Sequence, residues 1–490
     1  MKLFFAGCVA VLSLLSAFLY WTLPEDQDDR PVIYWITQDD ENKQEIVTVF
    51  REWLRDQGLP DIDLRIDNSN QDPTKKLVQG VSGVGADIFD LYAWEQDLFP
   101  ATGMLMDLTE PAKELGFSPD RTYPALKSDL VVNGRQYGFP RNTGGSLLWV
   151  NRATFAKYGL PEPPDRWTLD EFEALGRRFV AAANPPGTRQ RAYFVNGVTR
   201  EVLRRSLGLS NFNETGTRCM LDDPRNVEVI ERMRRWVQVD RLMPTREEFE
   251  AMSADISGAG SIFSHFTSGR YAMVYTGHWA LIMIRPRGVF PLRAVEPPHG
   301  GFPNTDMGGG MIAVYRGTKH PTEALRFMQY LASDHFNRLI IKQADSLPPL
   351  PRYAQTEEFI HPAGRENEWG VHGAFAAAAR ETGITVSNSP FVLQSIVFRI
   401  EIEQYETVIA GRQTAAEAAQ GMADRINAEI QLTLGRDPAL RKLHAERTAI
   451  QRRIEEYRAA GRRVPAAWVT DPFHLAYYRA QGWLEETPTP

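Results

Sequence analysis

An alternation of strand and helix patterns over residues 31–92 is the feature that most constrains the fold of this chain. Residues 31–36 form a short apolar run, and residues 41–58 carry apolar side chains at the spacing of an amphipathic helix. Residues 62–66 alternate in polarity as a second strand does, and a helix pattern at 74–81 and a third strand at 86–92 follow. This order predicts a parallel sheet covered by helices, and therefore an α/β fold.

Length and charge set the scale and exclude one class of partner. With 490 residues the chain exceeds the size of one ordinary hydrophobic core, which predicts two or more lobes. Its hydrophobic fraction of 43% and charged fraction of 24% are those of a globular protein. The net charge of −7 argues against nucleic acid as a partner.

Residues 269–284 combine an apolar strand, a Thr-Gly-His-Trp break and an apolar helix start. The pattern ends the strand at Tyr275 and begins the helix near Trp279. The break therefore brings an indole ring and free backbone N–H groups to the carboxyl end of a strand, where open α/β sheets bind ligands. A buried junction with a core tryptophan is the alternative, and His278 is either a ligand contact or a satisfied turn residue.

Polar and aromatic residues follow two other predicted strands in the same way. Gln38 and Asp39 come after the first strand, and Trp94 and Glu95 come after the third. Because carboxyl ends of parallel strands meet at one edge of a sheet, these four residues are candidates for the same crevice. For each of them, a solvated or buried structural role is the alternative.

Two glycine-containing segments mark further candidate positions. An irregular loop and an apolar strand share residues 138–152, and this loop carries Arg141 and Asn142. Arginine offers five donors and asparagine both donates and accepts, so either a ligand contact or a structural role between lobes fits. An arginine here also suits a carboxylate on an acidic ligand. Gly309 lies in a run of three glycines, which permits close approach of the backbone to a ligand.

Several motifs in this order resemble extracellular solute-binding proteins of bacterial ABC importers, family 1, the sugar-binding class. The resemblance runs over roughly residues 32–434, and its motifs are YWITQDD at 34–40, ADIFD at 86–90, GFPRNTGG at 138–145, GGMIAV at 309–314, GTKHP at 317–321 and AGRQT at 410–414. It implies a two-lobed, periplasmic-binding-protein-like (type II) α/β fold with a hinge between the lobes. The implied ligand lies between the lobes, which close on it.

The resemblance divides the chain into discontinuous lobes. Lobe I is expected at 30–140 and 296–345, and lobe II at 141–295 and 346–435. Residues 1–24 are expected to be a signal anchor or signal peptide, and residues 436–490 a helical and aromatic C-terminal extension. The fold class is therefore the two-lobed α/β fold with an N-terminal transmembrane segment and a C-terminal helical tail.

The N-terminus is predicted to be an export or anchor segment. No charged residue occurs from Leu3 to Leu23, whereas Lys2 precedes this run and four acidic residues follow by residue 29. Such a run suffices to span a bilayer and directs the bulk of the chain outward. We expect an uncleaved anchor in the inner membrane; a cleaved signal peptide and a lipoprotein modified at Cys8 are the alternatives.

The last part of the chain lies beyond the resemblance. Residues 436–463 hold nine Lys or Arg and four Asp or Glu, and Leu440, Leu443, Ile450, Ile454 and Tyr457 form a narrow apolar stripe among them. Packing against the protein's own lobes is the expected use, and contact with anionic lipid headgroups is the alternative.

These observations predict a binding protein, not an enzyme. The nine His residues show no metal-site spacing, no nucleophile elbow occurs, and no cofactor is implied. We expect capture of a carbohydrate or similar polar solute on the outer side of the inner membrane and delivery to ABC permease subunits. A partner of a membrane sensor and an envelope glycan hydrolase are the alternatives. A sugar site needs aromatic faces and planar polar groups, and the predicted ligand contacts are Gln38, Asp39, Trp94, Glu95, Arg141, Asn142, His278, Trp279 and Gly309.

Overall fold

A computed structural model of the chain describes residues 13–16, 30–92, 95, 99, 102–132, 134–253 and 260–486. Its strands are β1 (Val32–Ile36), β2 (Asp63–Asp67), β3 (Ile88–Tyr92), β4 (Val131–Val132), β5 (Arg135–Gln136), β6 (Phe139–Pro140), β7 (Gly144–Asn151), β8 (Tyr193–Asn196), β9 (Tyr271–Gly277), β10 (Leu292–Val295), β11 (Thr305–Gly308), β12 (Gly310–Val314), β13 (Gly383–Thr385), β14 (Val464–Pro465) and β15 (Leu484–Glu485).

The helices mostly cover the sheets, and a smaller group ends the chain. They are α1 (Glu41–Asp56), α2 (Pro73–Ser82), α3 (Thr109–Leu115), α4 (Lys127–Leu130), α5 (Arg152–Lys157), α6 (Leu169–Ala183), α7 (Arg200–Ser206), α8 (Pro224–Gln238), α9 (Arg246–Ser253), α10 (Gly260–Thr267), α11 (Ala280–Ile284), α12 (Pro321–Leu331), α13 (Asp334–Gln343), α14 (Glu357–Ile360), α15 (Trp369–Glu381), α16 (Gln394–Ile409), α17 (Ala415–Arg436), α18 (Pro438–Ala459) and α19 (Pro472–Ala480).

Lobe I is built on a sheet with the strand order β2-β1-β3-β12-β6. Strand β1 runs parallel to both β2 and β3, whereas β12 runs antiparallel to β3 and β6. Helix α1 covers this sheet because Ile46, Phe50 and Leu54 share one buried face. The strand–helix order predicted for residues 31–92 is present in the structure, and Asp40 caps α1 by accepting a hydrogen bond from the Lys43 N–H.

Lobe II is built on a second sheet with the order β13-β11-β7-β9-β8, and β10 also pairs with β7. The long strand β7 lies at its centre, antiparallel to β9, β10 and β11. Helices α6, α8, α16 and α17 contribute to the large apolar core on this sheet. The exact lobe bounds given above stay a prediction.

Three segments cross between the lobes and bond to one another. The first crossing runs from β6 of the lobe I sheet to β7 of the lobe II sheet. The second runs from β11 of the lobe II sheet through Gly309 to β12 of the lobe I sheet. The third crossing follows α13, where Leu347 and Thr143 exchange backbone hydrogen bonds of 2.7 and 3.1 Å. These short, mutually bonded segments join the two lobes at the place where the resemblance implies a hinge.

The C-terminal extension, defined as residues 437–486, packs on lobe II. Leu440 and Leu443 of α18 pack against the lobe II core, and Ile454 is fully buried in a small apolar cluster of the extension itself. The predicted apolar stripe therefore faces the protein. At its centre the buried carboxylate of Glu214 accepts hydrogen bonds from Gln451 (2.8 Å), Arg458 (2.9 Å) and the Tyr478 hydroxyl.

One part of the predicted fold class is wrong. Among the residues that the structure describes, no helix has both the length and the apolar character needed to cross a membrane. Of the predicted segment 3–23, the structure describes residues 13–16 alone. The rest of that prediction falls outside the described residues. The fold class is therefore the two-lobed α/β fold with a C-terminal helical extension.

Glu214 makes the attachment of the extension depend on pH. Burial opposes its ionisation, but His474 and the hydrogen bonds from Tyr478 and Gln451 outweigh burial and lower the pKa of Glu214 to about 2 from its ordinary value of 4.5. Because the folded-state pKa is depressed, the stabilisation is fully present above about pH 4.5 and is lost as the pH falls towards 2.

We expect Glu214→Gln to lower the free energy of unfolding at pH 7 by on the order of 3 kcal/mol and to flatten its decline below pH 4.5. Denaturant unfolding at a series of pH values measures both effects. Glu456→Gln, which changes an exposed carboxylate of α18, is the control and should alter neither. An unchanged pH dependence in Glu214→Gln would contradict this role.

Candidate functional site

A cleft lies where the two sheets meet at the crossing segments. It consists of two adjoining cavities of about 970 and about 350 Å³ that share the lining residues Ser146, Gly277, Trp279, Asp306 and Val386. The larger cavity opens towards lobe I and the crossing segments, and the smaller one penetrates lobe II. Volumes of this size accommodate a small or medium-sized polar ligand.

Arg141 occupies the junction of the lobes and is held by two carboxylates. Its Nη1 lies 3.0 Å from the Asp345 Oδ2, and its Nε lies 3.3 Å from the Asp90 Oδ2. All three side chains are buried. Although burial opposes the charge, Asp90 and Asp345 outweigh it and raise the pKa of Arg141. The guanidinium therefore lines the cleft with its charge already compensated.

Asn142 links the crossing segments beside this triad. Its Nδ2 donates to the Asp345 carbonyl at 3.2 Å, and its Oδ1 accepts from the Gly310 N–H at 3.0 Å. The Asn142 side chain thus binds two crossings at once. Its amide uses one donor and one acceptor in doing so, which leaves hydrogen-bonding capacity on the side that lines the cleft.

The lobe I wall carries a buried lysine and a tyrosine. Lys43, in the first turn of α1, is almost fully buried, and burial together with Arg141 lowers its pKa despite the carboxylates of Asp345, Asp90 and Asp40. Tyr92 ends β3, and burial together with Asp90 raises the pKa of its hydroxyl to about 12. This wall therefore carries the neutral hydroxyl of Tyr92 and the ammonium group of Lys43, which loses its proton more readily than an exposed lysine does.

Trp279 stands between the two cavities. It follows β9 directly before α11, is 40% exposed, and packs edge-on against Phe263 with ring centroids 5.6 Å apart. A Cβ on Gly277 would come within 2.6 Å of the indole, so only glycine at that position lets the ring lie across the strand end. The exposed indole therefore offers a flat apolar surface to a ligand in the cleft.

Asp306 faces both cavities from β11. Its Oδ1 accepts from the Tyr275 hydroxyl at 2.5 Å, and its Oδ2 accepts from the Ser146 hydroxyl at 3.3 Å. Burial and Asp306 raise the pKa of Tyr275 well above its ordinary value, so the hydroxyl stays protonated and donates. The arrangement fixes a carboxylate whose remaining lone pairs can accept hydrogen bonds from a ligand.

The floor of the smaller cavity comes from α7 and the segment before β11. Arg205 donates from Nε to the Asn304 Oδ1 at 3.1 Å and from Nη2 to the Ile384 carbonyl at 2.8 Å. Glu201, one turn before it, also lines the cavity. Burial raises the pKa of Glu201, and Arg205 and Arg204 act in the opposite direction.

The structure brings five of the predicted contacts together and places three elsewhere. Gln38, Arg141, Asn142, Trp279 and Gly309 all line the larger cavity. Asp39, Glu95 and His278 do not line either cavity. Trp94 lies outside the described residues. The role of each as a ligand contact stays a prediction.

The three displaced residues have partners of their own. Asp39 accepts a hydrogen bond from Gln44 at 2.6 Å on the surface. Glu95 is 1% exposed and forms a buried ion pair of 3.0 Å with Lys76. His278 is fully buried, its Nε2 lies 2.9 Å from the His372 Nδ1, and burial lowers its pKa well below its ordinary value. Each of the three side chains therefore has a structural partner outside the residues that line the cleft.

Sequence reasoning missed several lining residues. Tyr92 is the last residue of β3, so the carboxyl-end rule that selected Trp279 also applies to it, whereas Asp306 is the second residue of β11 and that rule does not select it. Lys43, Glu201 and Arg205 are charged residues on helices, and nothing in their spacing separates them from surface charges.

A substitution at Gly309 tests how closely the crossing segments pack. A Cβ at this position would lie 2.2 Å from the Asn142 carbonyl oxygen and 3.0 Å from the Thr143 Cα, both backbone atoms that cannot move independently. We expect Gly309→Ala to destabilise the protein by about 1–3 kcal/mol, measured by denaturant unfolding.

The control is Gly435→Ala, because a Cβ there meets nothing within 4 Å. Gly435 lies within α17, so this change should be neutral or slightly stabilising. Equal stability of the two variants would show that the crossings are not closely packed at Gly309.

Comparison with known proteins followed two routes. The family model described as bacterial extracellular solute-binding protein matches residues 58–367. No curated protein matches the chain in sequence.

Solved structures share the fold at low sequence identity. A substrate-binding protein of an ABC transporter from Listeria monocytogenes, solved with cycloalternan, is 18% identical with a TM-score of 0.68 over 82% of this chain and 100% of that chain. A solute-binding protein from Thermotoga lettingae bound with α-D-tagatose is 16% identical, with a TM-score of 0.65 over 82% and 100%. The sugar-binding protein MalE from Xanthomonas citri is 14% identical, with a TM-score of 0.65 over 82% and 97%. These likenesses support the two-lobed fold predicted above.

Proposed function

This chain belongs to the family of bacterial extracellular solute-binding proteins, and we propose that it captures a neutral carbohydrate in the cleft between its lobes and delivers it to the permease of an ABC importer. As a member of a binding-protein family it is not an enzyme, and an extracellular family acts on the outer side of the membrane. The solved neighbours that hold cycloalternan and tagatose support a carbohydrate as the ligand.

The observation that carries the proposal is the pairing of Trp279 with Asp306 in the wall common to both cavities. A pyranose ring has apolar C–H faces and a rim of hydroxyl groups. The exposed indole suits the faces, and the fixed carboxylate, the Asn142 amide and the Tyr92 hydroxyl suit the rim. Aromatic and planar polar groups on rigid strand ends are what a sugar site requires.

The charge of the cleft favours a neutral ligand over an acidic one. Arg141 is the cation best placed to bind a ligand carboxylate, but Asp90 and Asp345 already compensate it. Asp306 and Glu201 add negative charge to the walls. Arg205 also lines the smaller cavity, but all three of its guanidinium nitrogens already donate to Asn304, Ile384 and Thr385, so an acidic sugar would meet more carboxylates than available cations, and like charges disfavour binding.

We expect Trp279→Ala to weaken carbohydrate binding by about 1–3 kcal/mol while unfolding stays cooperative, because the change removes a stacking surface and not a core side chain. Isothermal titration calorimetry and thermal unfolding of the same samples measure both quantities. Trp369→Ala is the matched control, since Trp369 is 43% exposed and does not line the cleft. Unchanged affinity with a collapsed melting temperature would assign Trp279 to the core.

A thermal-shift screen tests the ligand class. We expect maltose, maltotetraose, a cyclic α-glucan or tagatose to raise the melting temperature, with about 2.7 kcal/mol of stabilisation at 100 times the dissociation constant. Oligosaccharides of uronic acids should leave the melting temperature unchanged, because the carboxylates of the cleft disfavour an acidic sugar. A shift with uronates alone would overturn the neutral-ligand assignment, and no shift with any sugar would overturn the carbohydrate itself.

A further inference from the structure

The C-terminal extension contacts the elements that line the smaller cavity. Helix α19 carries Phe473, which is fully buried and packs with Phe302 and Ile384 in one apolar cluster. The Phe302 and Phe473 rings meet edge-on, with centroids 5.7 Å apart. Ile384 belongs to β13, at the edge of the lobe II sheet. The extension thus reaches lobe II directly behind the cavity wall.

Arg205 connects Phe473 with the cleft. Its guanidinium lines the smaller cavity and is held in its plane by Asn304 and the carbonyls of Ile384 and Thr385, at distances of 2.8 to 3.3 Å. The Phe473 ring covers one face of this guanidinium, with the Arg205 Cζ 5.4 Å from the ring centroid. Within the described part of the chain, no carboxylate forms an ion pair with Arg205. The Phe473 ring therefore acts as a cation–π partner of the guanidinium, in addition to the three hydrogen bonds in its plane.

A second contact from the extension fixes the neighbouring wall. The buried carboxylate of Asp471 accepts a hydrogen bond of 2.5 Å from the Ser387 hydroxyl and another from the Phe473 N–H at 3.2 Å. Ser387 directly follows Val386, which lines both cavities. The extension thus contacts two separate segments that line the cavities. Phe473 contacts α7 through Arg205, and Asp471 contacts the residues after β13 through Ser387.

We propose that the C-terminal extension supports the binding site from behind the cavity wall, and that Phe473 is a positioning residue that sets the place of the Arg205 guanidinium in that wall. The family match ends at residue 367, so this role comes from the contacts of the extension itself. The nature of the solute rests on the proposed function; the positioning of Arg205 does not.

The test compares three variants in the full chain. Phe473→Leu keeps an apolar side chain but removes the aromatic face. Trp468→Leu is the matched control, because Trp468 also lies in the extension and its ring meets Tyr457 edge-on, with centroids 4.9 Å apart. Arg205→Met removes the positioned group.

With maltotetraose as the probe, Phe473→Leu should raise the dissociation constant about three- to tenfold, and Trp468→Leu should leave it within about twofold. The double variant Arg205→Met/Phe473→Leu should bind no more weakly than Arg205→Met alone, because Phe473 acts through Arg205. If Phe473 only stabilised the fold, the losses of affinity in the two single variants would add in the double variant. Wild-type affinity in Phe473→Leu, or additivity in the double variant, would overturn the proposal.

A ligand-free measurement separates this proposal from the proposed function. Amide hydrogen exchange followed by mass spectrometry should speed up in peptides covering residues 200–208 and 383–389 of Phe473→Leu, but not of Trp468→Leu. If the wild type binds no sugar, the carbohydrate assignment fails while the exchange experiment still decides the positioning. Unchanged exchange in these peptides would overturn the positioning even if sugars bind.

Discussion

The buried contact of Arg141 with Asp90 and Asp345 is the interaction on which the two-lobed arrangement depends. Asp90 belongs to the lobe I sheet, Arg141 to the first crossing and Asp345 to the third, so one guanidinium joins three separate segments. Removing one partner would leave an uncompensated buried charge, which costs far more than a surface ion pair. The junction of the lobes is therefore held by electrostatics as well as by the backbone hydrogen bonds between the crossing segments.

The same triad sets the character of the cleft. Because the triad compensates Arg141, the remaining cations of the walls are Lys43 and Arg205, beside carboxylate, amide and hydroxyl groups and the exposed indole of Trp279. Lobe I contributes Gln38, which follows β1, and Tyr92, which ends β3; lobe II contributes Trp279, which follows β9, and Asp306 of β11. A solute that touches both walls gains contacts from both lobes at once.

The C-terminal extension shows how a charged helix becomes part of a folded lobe. One of its basic residues, Arg458, binds the buried Glu214 of lobe II, and Gln451 donates to the same carboxylate. Lobe II supplies the carboxylate and the extension supplies the donors, so neither half is satisfied without the other. The apolar stripe of α18 and the aromatic side chains of α19 bury the remaining contact surface.

The sequence by itself determined the local elements and the edge at which the site lies. The strand–helix order of residues 31–92, the break before Trp279 and the loop with Arg141 and Asn142 follow from periodicity and turn residues, which act over a few neighbours. The tertiary structure decided which side chains face the cleft. Glu95 and His278 stand beside predicted strand ends, yet Lys76 and His372 hold them, from 19 and 94 residues away. Arg205 reaches the cleft only because β13 and the extension meet behind it, and contacts between distant segments leave no periodic signal in the sequence.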